Sequence, residues 1–148
     1  MLIHTPLACA VVFLYLTRMI NPKDVASRGI RARSEFDESR FSWTVPSELP
    51  YFEGHFPAAP TLPGVAMVDL TLELIRRQPE LARANLVKLR SAKFTAVISP
   101  GMELDITLTR DAISGANGEI AWRAEWRTLN KSEGTLVPAA SFLLSVRG

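Results

Sequence analysis

Five prolines close together exclude a helix from one long stretch of this chain. They lie between positions 46 and 63, at Pro46, Pro50, Pro57, Pro60 and Pro63. Proline fixes φ and removes a backbone donor, so no helix can run through them. The stretch is therefore predicted to be a long structured loop, of the kind that is usually functional inside a compact domain.

A helix is predicted directly after this loop, over residues 64–77. Its apolar side chains cover most of the circumference, which is typical of a buried helix. Pro63 suits a position at or just before the first turn, with Thr61 or Leu62 near the cap. Two arginines in the last turn would interact favourably with the helix macrodipole, and Pro79 ends the helix.

Alternation of apolar and polar residues predicts antiparallel strands in the second half of the chain. It is clear in Met102–Thr109 and Ile120–Arg127, which are separated by a turn, and less regular in Leu86–Ile98 and Leu136–Val146. Two earlier stretches, 8–20 and 30–46, are also predicted to be extended. With 148 residues, the chain is expected to form one α+β domain over 1–148, in which the helix covers an apolar sheet face.

Composition excludes several classes of site. One cysteine and two histidines rule out a disulfide framework, a multi-cysteine zinc site and a histidine-rich metal cage. The uncharged run 6–16 is shorter than the roughly 20 residues that cross a bilayer, and no basic residue precedes it as in a signal peptide. We therefore expect a cytoplasmic protein with no metal, although a weak signal-like segment stays open.

The basic residues are concentrated between Arg76 and Lys93. Six lie in that segment against one acid, Glu80, although the net charge of the whole chain is only +2. The segment could meet an acidic partner, or it could be a solvated helix end and strand face. Nucleic-acid binding is not expected, because the patch is short and has no known reading motif.

Three residues in and after the loop are candidates for chemistry. Asp69 is the only ionisable residue between His55 and Glu73, and burial would raise its pKa towards that of a general acid. The residues alone leave two alternatives open: His55 could be a packed, hydrogen-bonded histidine, and Asp69 could lie on a narrow solvated stripe of the helix. Gly64 begins the helix, where unpaired N–H groups could stabilise negative charge on a carbonyl oxygen. Together a base, an acid and a carbonyl donor suggest dehydration of a β-hydroxy carbonyl compound, or the reverse hydration.

The motif resembles that of the β-hydroxyacyl-acyl carrier protein dehydratases. The similar residues are Gly54-His55-Phe56-Pro57, Pro60 and Leu62-Pro63-Gly64-Val65, with Asp69 fourteen residues after the histidine. The segment Ser91–Leu104 is similar to a second family motif. The resemblance spans roughly residues 36–110.

This resemblance implies a hotdog fold, an antiparallel sheet wrapped around a central helix, and homodimers or multiples of dimers. It implies that His55 removes the α-proton and that Asp69 of the other protomer handles the β-hydroxyl, with no cofactor. The implied substrate-binding residues are Gly64, Val65, Phe56, Pro63 and Glu73. The implied substrate is an acyl group carried on the phosphopantetheine of an acidic acyl carrier protein, which would give the basic segment a partner.

Departures from the family pattern point to a specialised enzyme. One branch has glutamate at the position of Asp69, and the branch with aspartate includes enzymes that also isomerise the trans-2 product to cis-3. Glu73 replaces a common glutamine and could change the pKa of Asp69. A polyketide-like or aryl-polyene pathway is therefore as open as fatty-acid synthesis. The alternatives are a hotdog acyl-thioester hydrolase and a non-catalytic acyl-binding or carrier-docking module.

Overall fold

A computed structural model describes residues 29–34, 37–52, 59–111 and 115–148. The strand predicted at 8–20 lies outside these ranges, as do the candidate residues His55 and Phe56. What was predicted for them stays a prediction.

Six antiparallel strands form one sheet in the described part of the chain, in the spatial order β1-β2-β4-β5-β6-β3. The strands are β1 (Arg31–Ser34), β2 (Asp37–Thr44), β3 (Asn85–Phe94), β4 (Glu103–Arg110), β5 (Glu119–Asn130) and β6 (Thr135–Arg147). The predicted alternation in β4 and β5 is confirmed: Ile106 pairs with Trp126 and Leu108 pairs with Ala124, and all four side chains are buried. The sheet therefore has one continuous apolar face.

One long helix, α1 (Gly64–Ile75), packs on that face. In the buried interface, Trp126 Nε1 of β5 donates to Thr71 Oγ1 of α1 at 3.1 Å. Trp43 of β2 packs edge-on against Trp126, with ring centroids 6.2 Å apart. Among the described residues, an antiparallel sheet packs around one α-helix, which is the α+β hotdog architecture, so the predicted fold class is confirmed.

Helix α1 begins at Gly64 as predicted but ends two residues before the predicted position 77. The N-cap is Pro63 rather than Thr61 or Leu62, and no side chain caps the helix. The helix ends at Ile75 with Arg76 as C-cap, because the next two amides bond three residues back instead of four. No helix in the described ranges is long and apolar enough to cross a membrane.

Strand β3 lies at one edge of the sheet, and β6 is its one neighbour in the described sheet. All ten of its residues are exposed in the single chain. Its pairing with β6 shifts register twice, between Leu86 and Lys88 and between Leu89 and Ser91. Each shift leaves one residue outside the ladder, which explains why the alternation in this segment is irregular.

Candidate active site

The segment before α1 is anchored to the connection between β3 and β4. Leu62 N donates to Ile98 O at 2.8 Å, and both side chains are buried. Pro63 follows at once in extended backbone and opens the helix. The N-terminus of α1 therefore has a defined place beside the end of β3.

Gly64 begins α1 against the ring of Phe94. A Cβ atom added at Gly64 would lie 2.5 Å from Phe94 Cζ, so any larger residue here would require the half-exposed Phe94 ring to move. The first amide that bonds back within the turn is that of Met67, which donates to Pro63 O at 3.2 Å. The amide of Gly64 precedes this ladder and has no intrahelical acceptor, as its predicted carbonyl-binding role requires.

Asp69 lies on the least buried side of α1. Val65 is 63% exposed, and Val68 and Asp69 are half-buried; their spacing of three and four residues places all three on one side. The prediction of a buried helix is confirmed for eight of the twelve residues of α1, and this side is the exception. On this side of the helix, Val65 and Val68 form an apolar stripe next to the carboxyl group of Asp69.

Tyr51 holds this carboxyl group from the loop. Its hydroxyl donates a hydrogen bond to Asp69 Oδ2 at 3.3 Å. Tyr51 lies in a short 3₁₀ turn, Pro50–Phe52, and packs against the hydrophobic core. A residue four positions before His55 thus contacts the predicted acid.

Glu73 lies one helical turn after Asp69 and is only 5% exposed. Arg76 Nη1 pairs with Glu73 Oε1 at 2.5 Å, and Arg76 Nε donates to Ala84 O at 2.7 Å. The buried charge of Glu73 is therefore matched by a cation that the backbone holds in place. The charge of Glu73 raises the pKa of the Asp69 carboxyl group.

The pKa of Asp69 is raised, chiefly because burial removes water from its ionised form. The hydrogen bond from Tyr51 opposes this rise, the charge of Glu73 adds to it, and the charge of Arg76 opposes it. The balance favours the protonated acid more than in an exposed aspartate. A group that keeps its proton can deliver it to a leaving hydroxyl.

The structure thus places five of the predicted residues at one helix: Pro63 is its N-cap, and Gly64, Val65, Asp69 and Glu73 lie within it. Tyr51, Phe94 and Arg76 were missed as contacts of the site. Only the Glu73–Arg76 pair carries a sequence signal, because oppositely charged residues three apart on a helix can meet. No group of three or more histidine, cysteine, aspartate or glutamate side chains suited to a metal ion occurs among the described residues.

The basic segment does not form a single patch. Arg76 pairs with Glu73, while Arg77 lies over the Phe41 ring at 5.5 Å from its centroid. Lys88 and Lys93 pair in register with Ser145 and Ser141 of β6, and Arg90 Nε donates to Ser145 Oγ. Paired residues share a sheet face, so Lys88, Arg90 and Lys93 lie together on the outer face of β3.

Comparison with known sequences identifies one family. The sequence model described as "ApeI-like: ApeI dehydratase" matches residues 31–133. A curated 3-hydroxyacyl-acyl-carrier-protein dehydratase FabZ from Jannaschia sp. is 31% identical over 103 residues, which cover 63% of this chain and 60% of the relative. The FabZ of Pelotomaculum thermopropionicum is 31% identical over 81 residues, covering 51% of this chain and 58% of the relative. The chain thus spans about six tenths of the length of these curated relatives.

Solved structures share the fold. The dehydratase heterocomplex ApeI:P from Xenorhabdus doucetiae superposes with a TM-score of 0.58 at 19% identity, covering 80% of this chain and 96% of that one. An acyl-CoA hydrolase variant from Staphylococcus aureus superposes with a TM-score of 0.56 at 14% identity, covering 74% of this chain and 64% of that one. At these identities the likeness shows the hotdog fold alone.

Proposed function

Because this chain belongs to the ApeI-like dehydratase family, we propose that it dehydrates 3-hydroxyacyl thioesters to trans-2-enoyl thioesters. The observation that carries the proposal is Asp69, a half-buried carboxyl group with a raised pKa. It lies on the exposed stripe of a helix that begins with the amide of Gly64. We place the reaction in fatty-acid or related polyketide- or aryl-polyene-type biosynthesis.

The proposed step moves two protons and breaks one C–O bond. His55 accepts the proton from C2, and the electrons of that C–H bond form the C2=C3 double bond. The C3–O bond breaks, and Asp69 protonates the departing hydroxyl so that it leaves as water. The Gly64 amide holds the thioester carbonyl as negative charge develops on it. Exchange with solvent returns His55 and Asp69 to their starting protonation states.

The acyl chain is proposed to lie along apolar side chains next to this centre. Val65 follows Gly64 directly and is exposed, so it can contact the substrate. Pro63 shapes the same turn, and Phe56 is proposed to line the site from the loop. Glu73 contributes through its charge on Asp69.

A second copy of the chain is proposed to pair along β3. The whole strand is exposed at the sheet edge. Three of its own side chains expose apolar area there: Leu86, Leu89 and Phe94. A long exposed edge strand with apolar side chains is a template for pairing with another chain. Such a homodimer could cover the stripe of α1 and bring His55 of one protomer to Asp69 of the other.

An acyl carrier protein is the proposed bearer of the substrate. Lys88, Arg90 and Lys93 on the outer face of β3 offer positive charge to an acidic partner. This patch is smaller than the sequence segment suggests, because Arg76 already pairs with Glu73. Charge reversal of Lys88 and Lys93 would weaken a carrier-dependent reaction while sparing a small-molecule thioester.

A direct assay tests the reaction. Purified protein is given 3-hydroxyacyl thioesters of several chain lengths, and ultraviolet absorbance follows the conjugated enoyl product. Mass spectrometry of derivatised product locates the double bond, which separates trans-2 from cis-3 products. Release of free thiol without enoyl product would instead identify a thioester hydrolase, and binding without turnover would identify an acyl-binding module.

Mixing two inactive variants tests the shared site. If His55 and Asp69 meet across protomers, mixed dimers of His55→Ala and Asp69→Asn contain one site with both wild-type residues. Random exchange of subunits in a two-fold dimer then restores about a quarter of wild-type activity. If the two residues meet within one chain, every chain carries a defect and mixing restores none.

A further inference from the structure

We propose that Tyr51 is a positioning residue for the dehydration, whose hydroxyl aims the Asp69 carboxyl group and stabilises the carboxylate that forms once the proton has left. The inference rests on the proposed function, in which Asp69 is the acid. It adds a residue from the loop to a site otherwise built on α1. Four steps support it.

Tyr51 is held where its hydroxyl can reach Asp69. The 3₁₀ turn that carries it closes with Phe52 N donating to Leu49 O at 3.0 Å, and Leu49 is buried. Tyr51 and Phe52 both pack against the hydrophobic core. The ring is therefore fixed by the core, and the donor contacts Asp69 Oδ2 at 3.3 Å.

The hydroxyl of Tyr51 keeps its proton over the working range of pH. Its pKa is raised above the ordinary tyrosine value, first by burial and then by the charge and hydrogen bond of Asp69. Tyr51 therefore acts as a permanent donor and does not exchange its proton with the substrate. A donor to the ionised form stabilises that form.

Tyr51 and Glu73 act on Asp69 in opposite directions. Among the described residues, the titratable and charged groups that shift the pKa of Asp69 are Tyr51, Glu73 and Arg76. The Tyr51 hydrogen bond and the Arg76 charge lower that pKa, while burial and Glu73 raise it. Removing Tyr51 or Glu73 should thus shift the titration of Asp69 in opposite senses.

The direction in which the pH profile of turnover should shift follows from the role of Asp69. The acid must be protonated, so turnover falls as pH rises through its pKa. Tyr51→Phe removes the donor, raises the pKa of Asp69 and moves this alkaline limb to higher pH. Glu73→Gln removes the negative charge, lowers the pKa of Asp69 and moves the limb to lower pH. A loss of folded protein would not move the alkaline limb in either variant.

The experiment combines kcat against pH with a carbon-13 NMR titration of the Asp69 carboxyl group in wild type, Tyr51→Phe and Glu73→Gln. Asp69→Asn identifies the signal. We expect Tyr51→Phe to lower kcat about 3- to 30-fold at neutral pH with a smaller change in KM, because one hydrogen bond to a charged group is lost. Both the rate profile and the NMR signal should shift to higher pH.

Thr71→Val is the matched control. It also removes one hydroxyl, from a residue of α1 itself, but that hydroxyl accepts a hydrogen bond from Trp126 in the core. It should lower stability without moving the alkaline limb or the Asp69 signal. An Asp69 signal that does not move, or moves to lower pH, in Tyr51→Phe overturns the inference. Absence of enoyl product with the wild type overturns the proposed function instead.

Discussion

Two aspartates of this chain carry their charge in opposite settings. Asp105 on β4 is 1% exposed, and Arg33 Nη2 lies 2.8 Å from its Oδ2 while Arg127 Nη2 lies 3.6 Å from its Oδ1. Asp69 on α1 is half-buried, accepts a hydrogen bond from the hydroxyl of Tyr51, and has a second carboxylate one turn away. The deeper aspartate is thus the better compensated one.

The difference is what we expect between a structural charge and the proposed reactive one. Two cations lie beside Asp105 on the outer face of the sheet, Arg33 of β1 and Arg127 of β5. Among the described residues, Asp69 has only a neutral donor in direct contact, so its proton is easier to keep and to give away. Burial alone therefore does not distinguish the proposed acid Asp69 from Asp105, whereas the charge of their partners does.

The largest expected effect is on turnover. Asp69→Asn should lower kcat for dehydration by more than about 100-fold, because the proton donor for the leaving hydroxyl is lost. Asp105→Asn should leave kcat per folded molecule within about twofold, since it lies outside the proposed site. The measurement is enoyl formation by ultraviolet absorbance, with the folded fraction taken from circular dichroism.

The contrast between the aspartates would fail in one clear way. If Asp69→Asn kept wild-type turnover while Asp105→Asn lost it, the assignment of reactive and structural roles would be reversed. His55→Ala provides a second inactive reference, because it removes the proposed base and leaves both aspartates in place.

A smaller effect is expected on stability, where the substitution of Asp105 should cost more than that of Asp69. Asp105→Asn should lower the free energy of unfolding by about 1–3 kcal/mol, because Arg33 and Arg127 lose a buried partner. Urea denaturation of both variants gives the comparison. Arg33→Gln should cost less, about 0–1 kcal/mol, because Arg33 is nearly half exposed and Arg127 still faces the carboxylate.

The periodic elements of this fold could be predicted from the sequence because each depends on local spacing. Strands β4 and β5 alternate cleanly, since each has one face on the core. The pattern of β3 was weaker, because two register shifts interrupt it and no face of an edge strand is fully covered. The helix and the alternation predicted an antiparallel sheet covered by a helix, and Leu86–Ile98 was predicted to be a strand, but its place at the sheet edge could not be predicted from the sequence.

The site could be predicted only where its residues share one element. Gly64 and Asp69 share α1, so a motif and a helical spacing located them. The contact between Tyr51 and Asp69 joins residues eighteen apart, through a loop whose path no periodicity describes. The approach of Phe94 to Gly64 depends likewise on how the edge strand packs on the helix. His55 and Phe56 keep the status of sequence predictions.

The smallest expected effect concerns the pH dependence of stability, and it tests Asp69 without any substrate. The pKa of Asp69 is raised above its ordinary value of 3.8, chiefly by burial, so the folded protein binds this proton more tightly than the unfolded chain does. Its stabilisation is complete below the unfolded pKa and is lost as pH rises through the folded pKa. Asparagine at position 69 does not titrate, so the variant does not lose this stabilisation as pH rises. The free energy of unfolding of Asp69→Asn relative to wild type should therefore increase from acid to neutral pH.

Thermal unfolding across this pH range measures that difference, with the effect kept small because Asp69 is only half-buried. At neutral pH the two substitutions should therefore have opposite signs: Asp69→Asn raises the melting temperature and Asp105→Asn lowers it. A fall in melting temperature for both would mean that the native structure needs the ionised form of Asp69 as it needs that of Asp105. In that case Asp69 would be a structural charge, and the comparison on which its proposed role rests would be lost.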